Sequence, residues 1–273
     1  MKLRSLTVEW YIVALMKNKT VLISGAASGI GRKIAEAFLA DGARVHICDA
    51  SADALGDFVS ANPGATATEA DVSNIADVDR VYDDLSKQYG ALNILINNAG
   101  IAGPTATVDN VEPDDWDQCI AVDLSGAFYM TRRAVPMLKQ AGGGCIVNMS
   151  SSAGLFGTPM RSPYAASKWG LIGLTKTWAM ELGPDNIRVN AVCPGCVSGP
   201  RIEKVITQDA RERGVSTTEI RDVFHRQSSM RTFVSPEEIA DIVLFLASDK
   251  AAHVSGQALS IDGHTETLSN WLD

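Results

Sequence analysis

Thr20-Val21-Leu22-Ile23-Ser24-Gly25-Ala26-Ala27-Ser28-Gly29-Ile30-Gly31 is a short β-rich run that passes directly into a turn holding three glycines. The residues that follow, Gly31–Asp41, carry apolar side chains at helical spacing. A strand that enters a helix through a glycine turn is the first half of a βαβ unit. Glycines here permit a tight turn and a close approach of backbone to a pyrophosphate. The helix start adds free N–H groups and partial positive charge. Gly25, Ser28, Gly29, Ile30 and Gly31 are therefore the expected dinucleotide-contacting residues. Taken alone, the same turn could also be a βα connection with no ligand, the lesser of the two readings.

The pattern repeats along the chain. Further strand signals lie at Arg44–Cys48, Thr66–Ala70, Asn93–Asn97, Cys145–Met149, Arg188–Cys193 and Ala258–Ile261, several almost continuously apolar as in strands covered on both faces. Amphipathic segments alternate with them, among them Ile75–Gln88, Trp116–Lys139, Tyr164–Leu182 and Pro236–Ala247. This order predicts an α/β fold: one Rossmann-like, doubly wound parallel sheet of about seven strands with helices on both faces. Only residues 195–232 break the rhythm. They are too long for a structureless loop and are expected to hold one or two helices as a lid over the substrate. No linker divides the chain, so residues 16–273 are read as a single domain behind a short arm, residues 1–15.

Composition narrows the function. The 273 residues carry 24 basic and 32 acidic side chains, a net charge of −8, which lacks the basic footprint of a nucleic-acid binder. No apolar run approaches the roughly 20 residues of a membrane span. Lys2 and Arg4 ahead of Trp10–Met16 resemble an export signal faintly, but Glu9 interrupts the apolar stretch and no small-residue cleavage site follows. A cytoplasmic location is expected. Five cysteines, an odd number, fit reduced thiols better than a disulfide framework.

Asp49 ends the second strand, 24 residues after Gly25. A carboxylate there can accept hydrogen bonds from ribose hydroxyls and would repel a 2′-phosphate, so NAD is expected in preference to NADP. A helix-capping role for this Asp is compatible with that one.

The remaining motifs are specific in combination. Asn97-Asn98-Ala99-Gly100 closes the fourth strand. Ser151 precedes Tyr164 by thirteen residues, and Lys168 follows it by four. Pro194-Gly195 closes the sixth strand. With the GxxxGxG spacing at Gly25, these motifs resemble the short-chain dehydrogenase/reductase family, standard-length branch, over about residues 18–264. The chemistry can also be read from the residues. Tyrosine titrates near about 10 and is a poor base at pH 7. A lysine at i+4 shares its helix face and stabilises the phenolate. Tyr164 could then take a proton from an alcohol as hydride leaves the same carbon, or return it in reduction.

The resemblance implies more. Lys168 would also bind the nicotinamide ribose, and Ser151 would orient the substrate oxygen. Asp71 and Val72 would hold the adenine. Asn98, with Ala99 and Gly100, would steady the sheet centre and the cofactor's surroundings. Pro194, Gly195 and Val197 would flank the nicotinamide, and the protein would be a homotetramer built through the helices ending near Lys139 and Leu182. Two positions depart from the family. Asp123 stands where the family has a helix asparagine whose carbonyl holds a water of the proton relay; it is kept as a catalytic candidate and would bring negative charge toward Lys168. Gly199 replaces a frequent threonine, with Ser198 beside it as a substitute.

Arg161, three residues before Tyr164, is a candidate substrate-binding residue together with Ser151 and Tyr164. The lid segment carries seven basic side chains against five acidic ones, read chiefly as solvated helix surface. The expected substrate is a small polar secondary alcohol or ketone: a sugar, polyol, sugar acid or hydroxy acid. Two alternatives stand beside it, a 3-oxoacyl thioester reductase using NAD(P)H and a catalytically silent dinucleotide-binding regulator. Cys193-Pro194-Gly195-Cys196 spells a CxxC, but the family pattern accounts for its Pro-Gly without thiol chemistry. The scattered histidines His46, His225, His253 and His264 have no metal-ligand spacing. His264 could contact substrate or cover an interface.

Overall fold

Apolar runs become strands whose alternate side chains enter two different cores. In the computed structural model, which describes residues 16–269, the strands are β1 (Thr20–Ser24), β2 (Arg44–Asp49), β3 (Ala65–Glu69), β4 (Ile94–Asn97), β5 (Gly144–Met149), β6 (Ile187–Pro194) and β7 (Ala258–Ile261). The expected arm at residues 1–15 lies outside the described residues. All seven strands belong to one sheet of order β3-β2-β1-β4-β5-β6-β7, and every neighbouring pair is parallel. β3 begins at Ala65, the register partner of Val45, rather than at Thr66.

Nine helices fill the connections among the described residues: α1 (Gly29–Ala40), α2 (Ala52–Ala61), α3 (Ile75–Tyr89), α4 (Pro113–Ile120), α5 (Gly126–Gln140), α6 (Ser162–Leu182), α7 (Pro200–Arg213), α8 (Thr217–Arg226) and α9 (Pro236–Ala247). Val21, Ile23, Val45, Ile47, Ile94 and Ile96 point to one face, under Ile34 and Phe38 of α1, Phe58 of α2 and Ile239 and Val243 of α9. Leu22, Leu95, Ile146 and Val189 point to the other, under Val81 and Leu85 of α3, Met130 and Leu138 of α5 and Trp178 of α6. The strict two-residue alternation of the pleat explains why both faces must be apolar.

Helix ends follow local chemistry. Asn74 caps α3 by accepting from the Ala76 N–H at 3.0 Å, and Gly90, in the left-handed region, closes it. α9 opens with Pro236 and a reciprocal capping box between Ser235 and Glu238. The segment expected as one helix, Trp116–Lys139, is continuous but not regular. Ala121–Ser125 forms a π turn between α4 and α5, with Asp123 inside it. An extra residue in a turn of this kind often marks a functional site.

Residues 195–232 contain α7 and α8, which share a small apolar cluster of Ile206, Ala210 and Ile220 and are tied by an Arg221–Glu203 ion pair. Among the described residues no helix is long and apolar enough to cross a membrane.

Candidate active site

The chain leaves β1 toward β3 and returns to β4, so the connections after β1 and β4 diverge and open a crevice at the strands' carboxyl ends. Residues 25–31, Asp49, Asp71, residues 98–100, Ser151 and residues 195–197 all lie at or just beyond the carboxyl ends of strands at this edge.

The glycine turn is wedged in place. A Cβ on Gly25 would lie 2.7 Å from the Ala99 Cα, and one on Gly31 would lie 2.4 Å from both Asn98 Nδ2 and the Gly25 carbonyl. Asn98 Nδ2 donates to the Ser24 and Gly25 carbonyls at 3.1 and 2.7 Å, and Ser24 Oγ accepts the N–H groups of Asn98 and Ala99. Gly29 differs: its φ is +56° and nothing stands within 4 Å of its would-be Cβ. Ser28 precedes α1 without a side-chain cap, and the first turn of α1 holds no acidic residue. Uncapped amides facing open space, at the positive end of a helix, fit a dinucleotide pyrophosphate.

Asp49 is half-buried at the end of β2. Its Oδ2 accepts the Ala27 N–H at 3.1 Å and its Oδ1 the Ser51 N–H at 3.2 Å, which braces the carboxylate beside the glycine turn. The cap of α2 is Ser51 rather than Asp49, since Ser51 Oγ accepts from Ala54. Asp71 is exposed, with Oδ1 engaged by the Ser73 N–H and hydroxyl. The Val72 side chain is buried against α5, where a Cβ on Gly126 would meet it at 2.7 Å, so only its backbone could serve a ligand.

Tyr164 and Lys168 lie one turn apart near the start of α6, and Lys168 Nζ sits 5.4 Å from the Tyr164 ring centroid. Lys168 is almost fully buried. Its ammonium donates to the Met149 carbonyl at 3.1 Å and pairs with Asp123 Oδ2 at 3.3 Å. Asp123 Oδ1 accepts the Ile101 N–H at 2.7 Å, so the carboxylate joins the π turn to the loop after β4. Its negative charge therefore does reach Lys168, as a buried ion pair whose loss of either partner would strand a charge. Ser151 precedes the single turn Ser152–Gly154 and accepts the Ala153 N–H at 3.2 Å. That contact occupies a lone pair and leaves the hydroxyl proton free to donate.

Arg161 also reaches this site. Its guanidinium lies 5.3 Å from the Tyr164 ring centroid and donates to the Ala102 carbonyl at 2.6 Å. Pro194 ends β6; the Gly195 N–H donates to Ile261 O, and Val197 bridges to Val234. Ser198 Oγ donates to the Val234 carbonyl at 3.3 Å, so in this arrangement it is engaged away from any nicotinamide. His264 is exposed; its Nδ1 meets Ser229 Oγ at 2.7 Å and ties the segment after β7 to the stretch that follows α8.

All five cysteines are free thiols. Burial pushes Cys193 up to about 11 and Cys196 up to about 12, which disfavours the thiolate that a redox dithiol needs. Among the described residues no group of three or more His, Cys, Asp or Glu side chains could hold a metal ion.

One buried polar network escaped the sequence reading. Asn97 also braces the sheet centre: its Nδ2 donates to Asn148 Oδ1 at 2.8 Å and to Thr131 Oγ1, and Asn148 Nδ2 donates to Thr175 Oγ1 at 2.9 Å. This buried ladder ties β4 and β5 to α5 and α6, the helix carrying Tyr164. Its signal was present as single polar residues, Asn97 and Asn148, in otherwise apolar strands.

A family model described as Enoyl-(Acyl carrier protein) reductase matches residues 25–264. The chain is 40% identical over 252 residues to the 3-oxoacyl-[acyl-carrier-protein] reductase of Thermotoga maritima, covering 91% of this chain and 98% of that one. It is 34% identical over 253 residues to the D-beta-hydroxybutyrate dehydrogenase of Rhizobium meliloti, covering 90% and 98%. The structure of the 3-ketoacyl-(acyl-carrier-protein) reductase from Brucella melitensis complexed with NADH matches with a TM-score of 0.81 at 30% identity, over 90% of this chain and 98% of that one.

Proposed function

Because this chain belongs to the short-chain dehydrogenase/reductase family, NAD(P)-dependent oxidoreductases acting on CH–OH groups, we propose that it moves hydride between NAD and the secondary alcohol or ketone of a small polar substrate, a sugar, polyol, sugar acid or hydroxy acid. The observation that carries this reading is Tyr164 with the buried Lys168 ammonium 5.4 Å from its ring, together with Asp49 braced beside the glycine turn.

The dinucleotide, when bound, supplies the hydride acceptor or donor. Amides of Ser28, Gly29, Ile30 and Gly31 would hold its pyrophosphate, Asp49 its adenosine ribose, and Asp71 with the Val72 backbone its adenine. Residues 98–100 and Pro194, Gly195 and Val197 would line the nicotinamide end. Tyr164 takes the alcohol proton in oxidation and returns it in reduction. The Lys168 charge stabilises the phenolate between those events. Ser151 donates its free proton to the substrate oxygen. Asp123 holds Lys168 in position and tempers its charge. NAD is preferred because the Asp49 carboxylate would face a 2′-phosphate with like charge.

A second reading, reduction of a 3-oxoacyl thioester, is favoured by the 40% identical Thermotoga maritima protein. One screen separates the two: sugars, polyols and hydroxy acids with NAD and NADP in parallel, and acetoacetyl-CoA with NADH and NADPH. Turnover of a hydroxy compound with NAD is expected; preference for the thioester with NADPH would replace the first reading with the second. Dinucleotide binding with no hydride transfer to any of them would favour the silent regulator. A homotetramer in the cytoplasm completes the proposal. The Tyr164→Phe variant should lose about 100-fold to 10,000-fold in kcat/KM, the usual worth of a positioned acid–base group. NADH affinity, read by fluorescence, should stay unchanged. Full activity in this variant would sink the mechanism.

A further inference from the structure

Two arginines converge on the loop after β4 without forming an ion pair there. Arg161 Nη2 donates to the Ala102 carbonyl at 2.6 Å, and its Nη1 lies 3.4 Å from Thr105 Oγ1. Arg201, from the first turn of α7, donates to the Gly100 carbonyl at 3.3 Å. Gly100 adjoins the catalytic pair, since a Cβ there would stand 3.3 Å from Lys168 Nζ. Neither guanidinium makes an ion pair among the described residues; both rest on neutral oxygens, and Arg161 also on the face of Tyr164. The other lid arginines at this end behave differently, with Arg213 paired to Asp209 and Arg221 to Glu203.

The environment makes this costly for the protein alone. Arg161 Nε is buried and has no hydrogen-bond partner. Burial draws the Arg161 pKa down and the Arg201 charge adds to that, while negative charge on Tyr164, Cys119 and Asp123 opposes it. The carboxylate that acts on Arg161, Asp123, is already paired to Lys168 and bound by the Ile101 N–H. Two cations with no ion pair of their own, beside a proton-transferring tyrosine, therefore form a place where an anion lowers the energy of both. Guanidinium forks match the planar, two-oxygen geometry of a carboxylate.

We infer that Arg161 and Arg201 form a carboxylate-binding clamp, so that the substrate is a hydroxy acid or its oxo acid with the carboxylate held between the lid and the loop after β4. This deepens the oxidoreductase reading and rests on it. Arg201 lies on the lid helix and Arg161 on the segment entering α6, so an anion bridging them would also draw the lid over Tyr164. The clamp selects against sugars and polyols, which offer neutral hydroxyls.

The test measures binding and turnover separately. A series of 2- and 3-oxocarboxylates of four to eight carbons, with their methyl esters, is titrated calorimetrically into the protein–NAD complex, where no hydride is available, and turnover is read separately as NADH oxidation. Wild type is expected to bind at least one free acid at least tenfold tighter than its ester. Arg201→Gln, which removes an exposed side chain, should erase most of that ratio, as should Arg161→Gln. NADH affinity should be kept in both, which controls for folding. Equal affinity for acids and esters, no saturable binding of any acid at millimolar concentration, or an unchanged ratio in Arg201→Gln would overturn the clamp. Tighter binding of a phosphate monoester of the same chain length would also overturn it, in favour of a phosphorylated ligand. Acid-selective binding without any NADH oxidation would leave the clamp standing and overturn the oxidoreductase reading instead.

Discussion

Asp49 braces a loop and, in the proposed function, also holds the cofactor ribose. Its two oxygens accept the Ala27 and Ser51 N–H groups, which fixes the carboxylate beside the glycine turn. Asp49→Ala should lower kcat/KM with NAD by about 10-fold to 100-fold, the value of one or two charge-assisted hydrogen bonds, and narrow the gap between NAD and NADP. Parallel kinetics with both cofactors check this, and an unchanged preference would remove Asp49 from the specificity argument. His46 carries a different prediction. Both ring nitrogens are engaged, by the Thr66 and Thr68 hydroxyls, and burial lowers its pKa from 6.5 to about 4, against the opposing charge of Asp84. The unfolded chain therefore takes up a proton on this residue that the folded one resists. The stability in question is fully present above about pH 6.5 and is lost as pH falls through about 4, with a total of about 3 kcal/mol. Denaturant midpoints for wild type and His46→Gln should converge toward acid over this window. Parallel curves for the two would contradict it.

At the scale of elements, the turn between β1 and α1 divides its glycines by task. Gly31 is jammed against Asn98 and the Gly25 carbonyl, whereas the side of Gly29 is open. Gly31→Ala should cost about 1–3 kcal/mol of stability through overpacking. Gly29→Ala should cost about 1 kcal/mol for its left-handed backbone and should weaken NADH by roughly tenfold or more, equivalent to about 1.4 kcal/mol or above. Thermal melts and NADH titration of both variants separate the two effects; equal loss of stability in both would merge the tasks. The π turn is the second instructive element. Its sequence reads as uninterrupted helix from Trp116 to Lys139, because five residues with one extra per turn leave no mark in an apolar period. That Asp123 departs from the family's asparagine is legible; that its two oxygens reach Ile101 and Lys168 is not, since both partners are distant in the chain.

At the scale of the whole molecule, Trp116, Phe128, Trp169 and Met180 are large apolar side chains left exposed on α4, α5 and α6. Homotetramer assembly through α5 and α6 would cover such residues. Light scattering should return about four times the 29.1 kDa chain mass, and Trp169→Glu should shift it downward. A monomeric mass for the wild type would contradict the assembly.

The sequence by itself determined the sheet, its parallel sense, the glycine turn and the Ser151–Tyr164–Lys168 spacing, because each is a local property: a two-residue or 3.6-residue period, a backbone freedom, or an i+4 step on one helix. Tertiary structure alone decided the contacts that tune the site. Asn97 pairs with Asn148 because β4 and β5 happen to be neighbours in register. Arg201 reaches Gly100 across 101 residues because α7 folds back over the crevice. Asp123 meets Lys168 because two connections end at the same edge of the sheet. Such meetings follow from strand order and packing, which fix distances between segments that no spacing along the chain encodes.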